Sequence, residues 1–145
     1  MELRPYQLRC LTSSEKAIQQ GVTRQLWVLA TGLGKTVLAA SFFARRGLQG
    51  TLGIMHREEL LNQSAEKILA VSPEARVGLE KAEHRAPASS EVILASVQTV
   101  GRKSSTRLPA PSWLRTLWID ECHHAAASGY LEVGLDRHDR NPGTP

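Results

Sequence analysis

The sequence is poor in cysteine and contains no long hydrophobic run. Its 145 residues include two cysteines, Cys10 and Cys122, which are too few for a disulfide framework. Charged or polar residues interrupt every hydrophobic stretch, so none approaches the ~20 apolar residues that cross a bilayer, and the N-terminus lacks the apolar segment of a signal peptide. We therefore expect a soluble protein in a reducing, intracellular compartment, either the cytoplasm and nucleoid or, alternatively, a mitochondrion.

A large excess of one charge sign is also absent. The 18 Lys and Arg residues stand against 14 Asp and Glu residues, giving a formal charge of +4, which permits a polyanionic partner without requiring one. Cations nevertheless outnumber acids within residues 1–50 and 101–119, although such runs are also typical of ordinary solvated faces. With 41% hydrophobic residues the chain can bury one core, so we expect a single domain over residues 1–145.

Short apolar runs alternate with longer amphipathic stretches. The predicted strands are residues 26–30, 51–55, 92–96 and 117–120. The predicted helices are residues 35–46 and about 57–70, and the polar residues 80–90 and 101–112 are predicted loops. Strands separated by helices indicate an α/β domain with a central parallel sheet that is covered on both faces.

A glycine-rich turn follows the first predicted strand. Gly32 and Gly34 would expose backbone N–H groups there, and the positive end of the following helix would attract phosphate oxygens. Lys35 would place its ammonium against the β- and γ-phosphates, while the Thr36 hydroxyl could ligate a bridging Mg²⁺. The strict phosphate-loop pattern has glycine where this chain has Leu29, so an ordinary glycine turn followed by lysine is the alternative.

An acidic pair ends the last predicted strand. In a parallel sheet Asp120 would lie at the carboxyl edge, where ligands of such sheets bind, and could meet the same Mg²⁺ through a water. Glu121 could orient or deprotonate the attacking water. Taken alone, the pair is more typical of the capped start of a helix than of a nucleotide site. Together with the glycine-rich turn, it favours a site for ATP and Mg²⁺.

These two segments resemble motifs of the superfamily 2 helicases. Residues 30–36, Ala-Thr-Gly-Leu-Gly-Lys-Thr, are similar to motif I, which adds Thr31 and Leu33 to the nucleotide-binding residues. Residues 120–123, Asp-Glu-Cys-His, are similar to a DExH-type motif II. The resemblance implies a three-layer, RecA-like P-loop NTPase domain, with Lys35, Asp120 and Glu121 as its catalytic residues.

Three further segments agree with the same superfamily in order. Residues 3–7 resemble its N-terminal Leu-Arg-x-Tyr-Gln segment, which implies that Arg4 and Gln7 lie on the adenine side. Residues 56–60 are similar to motif Ia, and residues 95–99 to the Ser-x-Gln-Thr element. The residues implied as contacts to the backbone of one nucleic-acid strand are Arg57, Ser96, Gln98 and Thr99. Such groups can bind phosphate oxygens without reading bases.

Several alternatives remain open for these segments. Ser96 could cap a helix, and residues 56–57 could be an ordinary polar helix start. The resemblance implies that His123 relays between the ATP site and the strand; a zinc site with Cys122 is disfavoured, because neighbouring side chains point in different directions. Trp27 and Trp118 fall in predicted strands and are expected in the core rather than against bases.

Within the superfamily, the chain most resembles the helicases grouped with restriction-enzyme motor subunits and their DNA-repair relatives. DNA is therefore the expected partner, with RNA as the alternative. The chain ends before motif III, so we expect a truncated domain whose second RecA-like lobe lies elsewhere. Loss of that lobe's arginine can remove roughly 10³- to 10⁵-fold in rate, so this chain alone should bind Mg-ATP weakly and hydrolyse it negligibly.

Three other functions are compatible with the sequence. The motor could belong to a type I or III restriction enzyme, in which an endonuclease is fused to it or acts as its partner. The chain could also be a truncated module that retains strand affinity without catalysis. A small-molecule kinase has the least support, because no acceptor pocket or lid is recognisable in the sequence.

Overall fold

The computed structural model of the chain describes residues 2–101 and 106–124. Its helices are α1 (Pro5–Gln19), α2 (Lys35–Arg46), α3 (Glu58–Val71) and α4 (Val97–Val100), with 3-10 turns at Pro111–Trp113 and Cys122–His124. Its strands are β1 (Thr51–Met55), β2 (Val77–Glu80), β3 (Val92–Ser96) and β4 (Thr116–Ile119). The four strands form one parallel sheet in the order β2-β3-β1-β4, so the α/β prediction is confirmed.

The sheet is central because its middle strands are buried on both faces. All five residues of β1 and all five of β3 are buried, as the continuous apolar runs predict for parallel strands. Alternate side chains pack on opposite faces. Leu52 and Ile93 join one cluster with Val100 of α4, whereas Met55 and Leu94 join the other, which α2 and α3 cover.

Helix α1 is fixed to α2 by a third apolar cluster. Leu11 of α1 and Leu38 of α2 are both fully buried there, together with Phe42 and Phe43. Arg45 and Glu15 form an exposed ion pair at 3.3 Å between the same helices. This packing sets the first turn of α1 beside the turn that precedes α2. In the described part of the chain, no helix combines the length and apolar character needed to cross a membrane.

The predicted strand at residues 26–30 is wrong, because the structure contains no strand there. Trp27 packs edge-on against Phe42, with 5.1 Å between ring centroids, whereas Leu26 and Val28 are 70% and 86% exposed. Trp27 and Leu29 pack against the α2 cluster, so only one side of this segment is covered. A strand also needs a neighbouring backbone to bond with, and within the described residues β4 pairs with β1 alone.

Strand β2 was not predicted from the sequence. It has only four residues, its exposure alternates, and among the described strands it pairs with β3 alone, at the edge of the sheet. Trp118 of β4 packs against Phe43, with 5.5 Å between ring centroids, so the expectation of a core tryptophan there is confirmed. Part of the predicted loop at residues 101–112 lies outside the described residues.

Candidate functional site: a phosphate loop beside an acidic pair

The turn before α2 has the backbone of an anion site. Gly32 and Gly34 have φ of 82° and 75°, a left-handed conformation that glycine adopts without strain. Helix α2 begins at Lys35, and Gly34 at its N-cap provides no side-chain cap. The first N–H groups of α2 therefore have no side-chain acceptor from that position, and the helix dipole adds positive charge. Thr36 lies half-buried in this first turn, and Thr31 is exposed.

The first turn of α1 packs against residues 31–34, which form the candidate phosphate loop. The Tyr6 hydroxyl donates a hydrogen bond to the Leu33 carbonyl at 2.7 Å. The buried Gln7 carboxamide donates to the carbonyls of Leu33 and Gly34 at 3.2 and 3.4 Å, and its oxygen accepts from the Arg4 N–H at 2.9 Å. Gln7 thus contacts the phosphate loop itself. Its adenine contact, and that of the exposed Arg4, stay predictions.

The acidic pair meets the phosphate loop at the carboxyl edge of the sheet. Asp120 follows β4 directly, and its N–H donates to the carbonyl of Ile54 in β1 at 3.1 Å. The Glu121 carboxylate lies 3.7 Å from Nζ of Lys35 and 3.4 Å from Nδ1 of His123. The structure therefore brings together the lysine of one predicted motif and the carboxylates of the other.

The electrostatics of this pair favour a bound cation. Burial raises the pKa of Asp120, and the adjacent Glu121 charge raises it further, against smaller lowering effects of a backbone hydrogen bond, Lys35 and His56. Glu121 also has a φ of 50°, which is unusual for a residue with a side chain and common at functional sites. A divalent cation beside Asp120 would favour its ionised form.

The available donor set suits magnesium. The Asp120 carboxylate and the Thr36 hydroxyl are hard oxygen donors, and Mg²⁺ is usually held by one or two protein ligands together with phosphate and water. Among residues 2–101 and 106–124 no group of three or more His, Cys, Asp and Glu side chains is arranged to hold a metal. Phosphate oxygens and water would complete the coordination of a magnesium ion here.

The residues predicted to contact a nucleic-acid strand lie at the carboxyl ends of β1 and β3. Gln98 is exposed, and its Nε2 donates to the carbonyl of His56, which links the two segments. Arg57 is exposed and bonds the His56 ring at 3.3 Å. Ser96 is fully buried, and its hydroxyl accepts from the Thr99 N–H at 3.3 Å. The alternative of Ser96 as a helix cap is confirmed.

A buried ion pair that the sequence did not reveal supports this edge. The Arg107 guanidinium donates to Glu80 at 2.8 Å and to the carbonyls of Ala82 and His84. The same Glu80 accepts from the Ala86 N–H at 2.8 Å, which fixes the loop after β2. The Ala82 N–H then donates to Oγ1 of Thr99 at 3.2 Å. Nothing local in the sequence identifies this pair, because its members are 27 positions apart.

The chain is similar to a known protein family and to proteins of two yeasts. The profile of the family described as the type III restriction enzyme res subunit matches residues 1–140. The "Putative ATP-dependent helicase IRC3" of Saccharomyces cerevisiae is 31% identical over 141 residues, covering 90% of this chain and 20% of that protein. The "Putative mitochondrial ATP-dependent helicase irc3" of Schizosaccharomyces pombe is 30% identical over 138 residues, covering 92% and 23%. The chain thus spans about a fifth of the length of these relatives.

Proposed function

Because the chain belongs to the family of the type III restriction enzyme res subunit, a superfamily 2 helicase family, we propose that it binds Mg-ATP as the first lobe of a nucleic-acid helicase or translocase. The observation that supports this most is the approach of Lys35 to Glu121 at 3.7 Å. At this distance one nucleoside triphosphate can contact both motifs at the same time. Neither motif alone would specify such a site.

Each residue has a distinct task in this proposal. The backbone N–H groups of Gly32 and of residues 34–36, together with the Lys35 ammonium, bind the phosphate oxygens. Thr36 and Asp120 hold Mg²⁺, which neutralises the phosphate charge when it is bound. Glu121 orients the attacking water for in-line displacement at the terminal phosphate. Bound phosphates would pair with the Lys35 ammonium in place of Glu121. The Glu121 carboxylate would then be available to orient the attacking water.

The strand would bind at the neighbouring part of the same sheet edge. Arg57 and Gln98 are exposed there and can bond phosphate oxygens without reading base identity. Ser96 and Thr99 support that surface through their mutual hydrogen bonds. We propose DNA as the strand, in line with the family description, and RNA as the alternative. His123 contacts Glu121 and is the proposed link between the strand and the ATP site.

Turnover belongs to the larger protein in this proposal. The transition-state arginine of such motors comes from a second lobe. The 145-residue chain by itself should therefore bind nucleotide but hydrolyse it negligibly. The family description equally accommodates the motor portion of a restriction enzyme, which a nuclease in the same protein or complex would reveal. An intracellular location, in the cytoplasm, nucleoid or mitochondrion, is part of the same proposal.

Replacing Lys35 tests the ATP site directly. We expect Lys35→Ala to weaken binding of a fluorescent ATP analogue with Mg²⁺ by about 10- to 100-fold, because a charge-assisted hydrogen bond to phosphate is lost. The fold should persist, since the Lys35 side chain is 36% exposed. Lys67→Ala, which removes the same charge from an exposed position on α3, is the matched control. Equal affinities of wild type and Lys35→Ala would refute the assigned site.

A further inference from the structure

We propose that Tyr6 is a positioning residue for the triphosphate, because its hydroxyl locks the Leu33–Gly34 peptide in the orientation that an anion requires. The inference rests on the proposed function and concerns the same phosphate loop. Tyr6 is half-buried in the first turn of α1 and makes its hydrogen bond across the interface to the loop. Sequence patterns alone did not assign it any role.

The geometry of a trans peptide connects the hydroxyl to the phosphate side. In such a peptide the C=O of one residue and the N–H of the next point in opposite directions. The Leu33 carbonyl is directed at α1, where it accepts from Tyr6 at 2.7 Å and from Gln7 at 3.2 Å. The Gly34 N–H is therefore directed away from α1. It joins the N–H groups at the start of α2 as a donor for phosphate oxygens.

The loop needs this lock because its own hydrogen bond, from the Leu33 N–H to the Ala30 carbonyl at 3.3 Å, holds the turn before the Leu33–Gly34 peptide and not that peptide itself. Gly32 and Gly34 are both left-handed, and glycine reaches many other backbone conformations with little penalty. A rotated Leu33–Gly34 peptide would present a carbonyl oxygen to the phosphates, which repel it. Two donors fill the two lone pairs of the Leu33 carbonyl, so rotation has to break both hydrogen bonds. Tyr6 provides the shorter of these two bonds.

The position of the hydroxyl is set by packing rather than by the loop. Helix α1 begins at Pro5, and Leu11 one to two turns later is fully buried against α2. Gly34 also approaches α1 so closely that a Cβ there would lie 2.7 Å from Nε2 of Gln7. The phosphate loop therefore lies directly on the first turn of α1. The N-terminal helix acts as a rigid support for the amides that bind the anion.

The test removes only the hydroxyl, in the full 145-residue chain. Tyr6→Phe should weaken the binding of Mg-ATP and the binding of inorganic tripolyphosphate by the same factor, roughly 3- to 10-fold, as expected for one hydrogen bond. The affinity for adenosine, which has no phosphate, should not change when it is measured by competition with a fluorescent ATP analogue. Ser13→Ala removes a hydroxyl from the same helix, facing the groove that Tyr6 and Leu33 also line, and should alter none of the three affinities.

The outcomes separate this inference from the proposed function. Wild-type protein that binds neither Mg-ATP nor tripolyphosphate would overturn both. Wild-type binding with an equal affinity of Tyr6→Phe would overturn the positioning role alone. A loss for Mg-ATP and adenosine without a loss for tripolyphosphate would assign Tyr6 to the base, and would also overturn it. A purely structural role would lower the urea midpoint of Tyr6→Phe while leaving the affinities of the folded protein unchanged.

Discussion

Asp120 and Glu121 are adjacent, yet the fold perturbs them in different ways. Asp120 is perturbed electrostatically, since burial and the neighbouring carboxylate both raise its pKa. Glu121 is perturbed in its backbone, with a φ of 50°, while its side chain reaches Lys35 and His123. Perturbed carboxylates and unusual backbone angles concentrate at functional sites. The ionised Asp120 carboxylate should therefore lower the stability of the fold while it supports Mg-ATP binding.

Asp120→Asn should make the protein more stable near neutral pH and less able to bind Mg-ATP. A carboxyl group whose pKa is raised in the folded state contributes stability below its ordinary value of 3.8, and that stability is lost as pH rises through the raised pKa. Asparagine does not ionise, so the variant avoids this loss. The gain in unfolding free energy should be largest above the raised pKa and should shrink toward acidic pH.

Urea unfolding between acidic and neutral pH, in buffer with a metal chelator, measures this difference. Glu66→Gln, at an exposed position on α3, is the matched control for removing a carboxylate. A stability difference for Asp120→Asn that does not vary with pH would contradict the assignment. Mg-ATP titration of the same two variants should show a loss of affinity for Asp120→Asn alone.

The helices and strands differ in how far local sequence predicted them. Helix α2, strand β1 and strand β3 have the predicted bounds, because a glycine turn, a helix cap and a short apolar run are each specified by neighbouring residues. Strand β2 was missed because four residues of alternating burial give too short a periodic pattern. The segment at residues 26–30 is apolar without being a strand, because hydrogen-bond partners come from outside the segment.

The loop after β2 depends on one buried ion pair, and its removal should be costly. Arg107→Ala should destabilise the protein by about 3 kcal/mol, because it leaves the Glu80 carboxylate buried without its partner. The two side chains are only 15% and 6% exposed. Urea unfolding measures the effect. Arg45→Ala breaks an exposed ion pair with Glu15 and is the matched control, with an expected loss below about 1 kcal/mol.

Two results would decide the role of this pair. Equal stability of Arg107→Ala and Arg45→Ala would show that burial of Glu80 is not what Arg107 compensates. Restored stability in a Glu80→Gln, Arg107→Ala double variant would show that the charge left on Glu80 is the main source of the loss. The loop also reaches Thr99, through the Ala82 N–H at 3.2 Å. Its loosening should therefore disturb the proposed strand surface as well.

The whole molecule gathers its candidate sites on one edge of one sheet. Asp120 follows β4, the segment of His56 and Arg57 follows β1, and Ser96 ends β3. Parallel strands place all their carboxyl ends on the same side, so residues distant in sequence become neighbours there. The chain also carries a formal charge of +4, which favours approach of a polyanion. This arrangement would put an ATP site and a strand site within one rigid domain.

Salt dependence should show whether this edge binds a nucleic-acid backbone. We expect the logarithm of the affinity for a single-stranded oligonucleotide to fall linearly with the logarithm of salt concentration, by about 0.7 for each phosphate neutralised. Arg57→Ala should reduce the slope by about 0.7. Arg45→Ala, which removes an arginine from α2 and the ion pair with Glu15, should leave the slope unchanged. A flat dependence for the wild type would argue against strand binding.

The features that depend on neighbouring residues could be read from the chain. The turn at Gly32 and Gly34, the start of α2 at Lys35 and the acidic pair after β4 follow from local backbone preferences and short apolar runs. Their order along the chain also indicated the helicase superfamily, and the family profile over residues 1–140 confirms it. These properties needed no knowledge of which distant residues meet.

Only the tertiary structure decided which distant groups meet. It brought Lys35 within 3.7 Å of Glu121, joined Tyr6 to the Leu33 carbonyl, and paired Arg107 with a buried Glu80. It also left the apolar segment at residues 26–30 outside the sheet. Such contacts depend on how helices and strands pack, and many pairings are compatible with the same local pattern. The sequence specified the parts of the site, and packing determined their geometry.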